Sequence, residues 1–213
     1  DSIDFIRGDL YTFGVGVLLL IIALLAIAFH KPRWVVLPVL TCFASGAVML
    51  GILGLLDWPV TVVSSNFISL MLIITLSLCV HLIVHYREQH RVQPDSDQFT
   101  LVADTMERKF YPCLYTGLTT IVGFGSLTIS GIRPVIDFGW MMSLGVMVAF
   151  VLSFTLFPAV LMLMSPGKPS AAGFDISEKA TAMLANITRN FIKPANIGFV
   201  LIFGVALLGM SKV

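Results

Sequence analysis

Six stretches of about twenty consecutive, mostly apolar residues decide what this chain can fold into. They cover residues 10–29, 34–56, 66–86, 111–130, 135–164 and 194–211. A helix of about 20 apolar residues spans the hydrocarbon core of a bilayer and satisfies its own backbone hydrogen bonds there. Only 12% of the residues are charged, against about 25% in a typical soluble domain. We therefore predict an all-α fold, a polytopic membrane helix bundle with six transmembrane helices.

Lysine and arginine are unevenly distributed between the two sets of loops. Ten of the 13 follow the first, third and fifth spans, and the other three are Arg7, Arg133 and Lys212. Because cytoplasmic loops are enriched in lysine and arginine, we expect the first set to face the cytoplasm and both ends of the sequence to be periplasmic. Residues 1–9 resemble no signal peptide. We interpret the chain as an inner part of a longer protein with at least one span upstream; a processed mature chain is the alternative.

The cytoplasmic loops carry two further helix candidates. In the first, Phe99, Val102, Met106 and Phe110 recur at helical spacing and predict a polar helix before the fourth span. The second covers residues 175–191, begins with a capping box and lies either along the membrane surface or against the ends of the bundle. The predicted organisation is a five-helix bundle over residues 1–164, a cytoplasmic linker with an amphipathic helix over 165–193, and a last span over 194–213.

Several motifs resemble one superfamily of transporters. The hairpin TTIVGFGSL, IRPVIDFGWMMSLGV and LFPAVL, within residues 119–161, resembles the fifth and sixth membrane helices of the resistance-nodulation-division superfamily. More specifically, it resembles the branch of predicted exporters of the mycobacterial large-membrane-protein type, which is related to sterol-sensing domains. VHLIVHYREQH (80–90) resembles the fourth helix of that family, and FIRGDLYTFG (5–14) resembles the start of the second. The last span resembles the seventh helix.

The resemblance implies a protein of two six-helix halves, each with a periplasmic porter domain after its first helix. This chain would hold helices two to seven, so that residues 194–213 form the first transmembrane helix of the second half. The implied function is export of hydrophobic or lipid-like substrates across a bacterial inner (cytoplasmic) membrane, driven by the proton-motive force. The alternative is a lipid-binding or assembly subunit without proton coupling.

The resemblance also implies the partners of the chain. They are membrane lipids, the other half of the transporter with its porter domains, and accessory subunits or a second copy of the chain. We expect no nucleic-acid partner, because the formal net charge is only +1.

In this family an aspartate near the middle of the fourth helix takes up and releases protons. Aligned on VHLIVHYREQH, that position falls at Ser77 or Leu78, and neither side chain ionises. Three interpretations stay open. The partner half supplies the acid and Ser77 hydrogen-bonds to it; or His81, which shares a helix face with Ser77 and His85, acts as the relay, since histidine titrates near neutral pH; or proton coupling is absent.

Polar residues recur along the span at residues 66–86 and along the next span, residues 111–130. The predicted row on the first of them consists of Asn66, Ser69, Ile73, Ser77 and His81. On the next span, Thr116, Thr119 and Thr120 join Ser77 and His81 as candidates for a proton relay or polar core. Close packing is the alternative, because small and hydroxylated residues let membrane helices approach one another.

Two aromatic residues are candidates for a substrate path. Phe124 and Phe138 lie near the turn of the hairpin, where they would line a route for a hydrophobic molecule. The alternative is that they anchor the spans at the membrane interface, as aromatic residues near span ends commonly do.

The sequence predicts no enzyme, cofactor or metal site. His81 and His85 have the i, i+4 spacing of metal or haem ligands, but no third ligand accompanies them. A phosphate-binding loop and a nucleophile elbow are both absent from the sequence. The three cysteines, Cys42, Cys79 and Cys113, lie in or at the edge of spans, where a thiol behaves as a small apolar group.

Overall fold

The computed structural model describes residues 2–29, 31–58 and 66–164, together with Met183 and Asn186. The chain divides into two compact units, Asp1–Ser170 and Ala171–Val213, and the description below concerns the first. The predicted sixth span lies outside the described residues, as does the helix predicted over 175–191 apart from those two positions.

Five α-helices make up the described part of the first unit. They are α1 (Ser2–Phe29), α2 (Arg33–Leu55), α3 (Phe67–Val92), α4 (Gln98–Gly125) and α5 (Arg133–Met162), with a short 3₁₀ turn, Ser126–Ile129, after α4. The helices α2 to α5 are long and apolar enough to cross a membrane, and Val15–Phe29 in α1 is a shorter apolar helix. The predicted all-α membrane helix bundle is confirmed, and the first five predicted spans fall on these five helices.

The helix α5 packs against α2, α3 and α4, while α1 packs against α2 and α3. The main buried cluster draws side chains from all five helices, among them Leu25, Trp34, Tyr86, Leu101 and Phe157. A second cluster, at the other end of the bundle, joins α2, α3 and α5 through methionine and aromatic side chains. Side-chain packing in the main cluster therefore fixes α3 and α4 relative to each other.

The hairpin of α4 and α5 is as closely packed as its small residues predict. A Cβ atom at Gly139 would lie 2.7 Å from the backbone oxygen of Phe124 and 3.1 Å from the Cβ of Leu127. The turn contains Gly131 at φ +74°, a left-handed conformation that glycine adopts without strain. Pro134 then stands in the first turn of α5, where a missing N–H costs nothing.

The prediction of a separate polar helix before the fourth span was wrong in its boundaries. The helix α4 runs without interruption from Gln98 through Pro112 into the membrane span. Its first turns bury Leu101, Val102 and Thr105, whereas Phe99 is 66% exposed. Because Leu101 and Val102 pack into the main cluster, tertiary contacts stabilise the predicted polar helix as a continuous extension of the membrane span.

Candidate functional site

The helix α3 has one buried and one exposed face near its middle. Leu78, Cys79 and Leu82 are buried, while Ser77 and His81 are exposed. The predicted sharing of one face by Ser77 and His81 therefore agrees with the structure. The predicted row is not uniform, however, because Ser69 is only 6% exposed and belongs to the packed side of α3.

The threonines of α4 lie on its outer side. Thr116 and Thr119 are exposed and Thr120 is half-buried. Each hydroxyl donates to a carbonyl of its own helix: Thr116 to Pro112 at 3.0 Å, and Thr119 and Thr120 to Thr116 at 2.9 and 2.7 Å. A hydroxyl that donates in this way still has acceptor capacity. The threonines can therefore accept hydrogen bonds from a neighbouring helix or from water.

The exposed rows of α3 and α4 both point away from α5, which contacts Cys79 of α3 through Ser153 and lies beside Gly117 of α4. The two helices meet where Leu78 and Cys113 enter one buried cluster with Ala149 of α5. Gly117 marks the side of α4 that faces α5, because a Cβ atom added there would lie 3.9 Å from the ring of Phe150 in α5. At 100° per residue, Thr119 points roughly 160° away from Gly117, and Ser77 points roughly 160° away from Cys79. We call the surface formed by Ser77, His81, Thr116 and Thr119 the polar face.

One turn beyond His81, the structure forms a charged cluster that the sequence did not predict. His85 is 12% exposed; its Nδ1 is 3.9 Å from Glu88 Oε2 and its Nε2 is 4.0 Å from Asp104 Oδ2. The other oxygen of Asp104, Oδ1, accepts a 2.8 Å hydrogen bond from Nε of Arg108. The sequence signal available was the i, i+4 pair of Asp104 and Arg108, but nothing local placed that pair beside His85.

Next to this cluster, polar side chains connect the ends of α3 and α5 with the beginning of α4. The hydroxyl of Tyr86 in α3 donates to Gln98 Oε1 at 2.6 Å, and Gln98 Nε2 donates to the carbonyl of Leu161 in α5 at 2.8 Å. The ring of Tyr86 also lies between those of Trp34 and His90, with centroid distances of 5.5 and 6.1 Å. These contacts fix the end of α3 against the beginning of α4.

Phe124 and Phe138 contact each other in the hairpin. Their rings meet edge to face, with centroids 5.9 Å apart and planes at 84°. Both are half-buried and pack against the second buried cluster, which includes Met71 and Met141. Their role in a substrate path stays a prediction, and the contacts observed are those of helix packing.

No group of three or more metal-ligating side chains occurs in the part of the chain that the structure describes. The three cysteines are free and buried. Cys42 Sγ donates to the carbonyl of Leu72 at 3.6 Å, and Cys79 Sγ lies 3.9 Å from Ser153 Oγ. The thiols therefore act as packing groups between helices.

The apolar helices and the close-packed hairpin define a multi-pass membrane protein of the all-α class. The sequence model of the MMPL family matches residues 1–185, and the chain belongs to this family. It is also 29% identical over 155 residues to a protein of Methanocaldococcus jannaschii named "Putative membrane protein MJ1562". The match covers 72% of this chain and 39% of the archaeal protein, so the chain spans well under half of that relative. The resemblance inferred from the hairpin is confirmed.

Proposed function

We propose that this chain is a transmembrane part of an exporter that moves hydrophobic or lipid-like substrates across a bacterial cytoplasmic membrane, driven by the proton gradient. Membership of the MMPL family supports an exporter-like role. The observation that carries the rest of the proposal is the polar face, which places an ionisable side chain and three hydroxyl groups on the outside of this bundle. The proposal includes no enzymatic step, cofactor or nucleic-acid partner.

A polar face of this kind is costly if it meets lipid. Ionisable residues in membrane helices generally face the bundle interior or a water-filled cavity. We therefore propose that the polar face is covered by the other half of the transporter, and that protons pass between the halves there. Either His81 or an acidic residue of the other half would carry the proton, with Ser77 as hydrogen-bonding partner.

The proposed orientation follows from charge. In the part of the chain that the structure describes, the loops and helix ends at one side of the bundle hold Lys31, Arg33, Arg87, Arg91, Arg108 and Lys109, and the opposite side holds Arg7 and Arg133. Retention of positive charge in the cytoplasm supports a cytoplasmic location for the ends of α1, α3 and α5. Porter domains and the segments that bind substrate would then lie on the periplasmic side.

The experiment that tests the proposal uses the full-length protein in proteoliposomes with a fluorescent hydrophobic dye as transport probe. We expect an imposed pH gradient to accelerate dye movement and an uncoupler to abolish the acceleration. His81→Ala and Ser77→Ala test the polar face, and Ile73→Ala is the matched control because Ile73 is exposed on the same helix, at 48%, without a polar group. Loss of coupling in His81→Ala alone would assign the relay to the histidine.

The second candidate is a lipid-binding or assembly subunit without proton coupling. It is favoured by one specific observation, the presence of Ser77 and Leu78 where the family pattern has an acid. Dye movement that ignores the pH gradient in the intact protein would reject the proton-driven exporter and support this second role.

A further inference from the structure

The cluster around His85 contains two buried polar atoms that face each other without a hydrogen bond. Nε2 of His85 and Oδ2 of Asp104 are both inaccessible and have no hydrogen-bond partner, and they are 4.0 Å apart. That separation is within the range of an ion pair but exceeds the roughly 3.2 Å limit of a good hydrogen bond. Buried polar atoms are nearly always hydrogen-bonded, so the pair requires an explanation.

Each ring nitrogen of His85 faces a carboxylate oxygen. A neutral imidazole has one N–H donor and one lone pair, whereas an imidazolium has a donor on each nitrogen. Nδ1 faces Glu88 and Nε2 faces Asp104. Either neutral tautomer therefore directs a lone pair at a carboxylate. Addition of one proton from water gives each nitrogen an N–H directed at an acceptor, and a shift of about 1 Å would close the bond to Asp104.

The charged groups that act on His85, among the residues the structure describes, come from two helices. Partial burial of the ring and the cations Lys109 and Arg108 on α4 oppose the imidazolium, while Asp104 on α4 and Glu88 on α3 favour it. Asp104 is the better placed of the two acids, because it is 32% exposed and Glu88 is 62% exposed. The Arg108 hydrogen bond to Oδ1 holds the carboxylate with Oδ2 towards the histidine.

We propose that His85 and Asp104 form a proton-binding site in the seam between α3 and α4, in which the imidazolium of His85 bonds one helix to the other. The site is separate from the polar face, because only 12% of the His85 side chain is exposed, whereas His81 one turn away is exposed. The capacity of this site to bind a proton is independent of the proposed function. Its use as an outlet for protons that leave His81 towards the cytoplasm rests on the proposed function.

The test is a pH titration of the ¹⁵N-labelled histidines by NMR, with the full-length protein in lipid nanodiscs and the His85 signal assigned through His85→Gln. In Asp104→Asn, we expect the midpoint of His85 to fall by about one pH unit, a tenfold loss of proton affinity. The matched control is Glu107→Gln, which removes the same charge from an exposed position on the same helix. We expect that control to move the midpoint by less than a third as much.

A second variant separates the site from a general loss of structure. Lys109→Gln removes a repelling cation, so we expect the midpoint of His85 to rise, opposite to the change in Asp104→Asn. Local unfolding would instead move both variants towards the same free-histidine value. A midpoint that is equal in wild type, Asp104→Asn and Lys109→Gln would overturn the proposal, as would a His85 that stays neutral from about pH 5 to 8.

The NMR titration of His85 and the transport experiment can fail independently of each other. If His85 titrates as expected while dye movement ignores the pH gradient, the proton-binding site stands and the proposed function fails. If transport follows the gradient while the His85 midpoint ignores Asp104, the exporter stands and this site is rejected.

Discussion

The hydroxyl of Tyr86 donates a 2.6 Å hydrogen bond to Oε1 of Gln98, which ties the last turns of α3 to the first turn of α4. Gln98 continues the connection by donating to the carbonyl of Leu161 at 2.8 Å. The helices α3, α4 and α5 thus meet at one amide side chain. The 93–97 connection therefore joins two helix ends that these side-chain hydrogen bonds hold together.

Removal of the Gln98 amide should destabilise the bundle more than removal of the Tyr86 hydroxyl. Tyr86→Phe loses one hydrogen bond, worth about 1 kcal/mol, and Gln98→Ala loses two, worth about 2 kcal/mol together. Unfolding in mixed detergent micelles, followed by tryptophan fluorescence, to which Trp34 beside Tyr86 contributes, measures both. Gln93→Ala is the control, because Gln93 is exposed and should change stability by no more than about 0.5 kcal/mol. Equal effects of the three variants would contradict a specific role for Gln98.

The glycines of the bundle should differ in their tolerance of alanine. Gly139→Ala places a Cβ 2.7 Å from the Phe124 backbone oxygen, and because backbone cannot move aside, we expect a loss of about 1–3 kcal/mol. Gly145→Ala meets the flexible Met71 side chain at 3.2 Å, and Gly51→Ala meets nothing within 4 Å. The expected order of stability in a thermal unfolding assay is Gly51→Ala above Gly145→Ala above Gly139→Ala. A Gly139→Ala protein as stable as Gly51→Ala would show that α4 and α5 are not in close contact.

Features that depend on local sequence were predicted well, and features that depend on helix pairing were not. The positions of the first five spans follow from runs of apolar residues, and the shared face of Ser77 and His81 follows from the i, i+4 spacing. The end of α3 and the beginning of α4, on either side of the loop 93–97, were not predicted correctly. Both helices extend further because Tyr86 and Leu101 pack in the main cluster. Hydropathy alone cannot report that packing.

The His85 cluster shows the same limit for the candidate site. His85 and Asp104 are nineteen residues apart in sequence, and their meeting depends on the register between two antiparallel helices. That register is set by contacts such as Leu78 with Cys113, which no periodicity within a single helix specifies. The sequence could place His85 near the end of a span, but it could not supply the carboxylate opposite it.

The beginning of α4 should depend on pH through Asp97. The Thr100 hydroxyl donates to the Asp97 carboxylate, and this hydrogen bond lowers the pKa of Asp97 below its ordinary value. A carboxylate with a lowered pKa in the folded state stabilises the fold above its unfolded pKa of about 3.9 and loses that effect as pH falls through the lower, folded pKa. Asp97→Ala should therefore speed amide exchange in the first turn of α4 at pH 7, relative to wild type. The difference should fade below about pH 3.9, and Asp95→Ala, in the exposed loop, should show none.

The native thiols should resist modification while the bundle is folded. Cys42 and Cys79 are 0% exposed and Cys113 is 4% exposed, so a maleimide reagent has no access to their sulfur atoms. Mass spectrometry should find no adduct on these three residues in the folded protein in mild detergent and an adduct on each after denaturation in SDS. A Gln93→Cys variant, with its new thiol in the exposed loop, should react under native conditions and shows that the reagent is active. Native labelling of Cys79 as fast as that of position 93 would mean that α3 and α5 separate in solution, against the contact between Cys79 and Ser153.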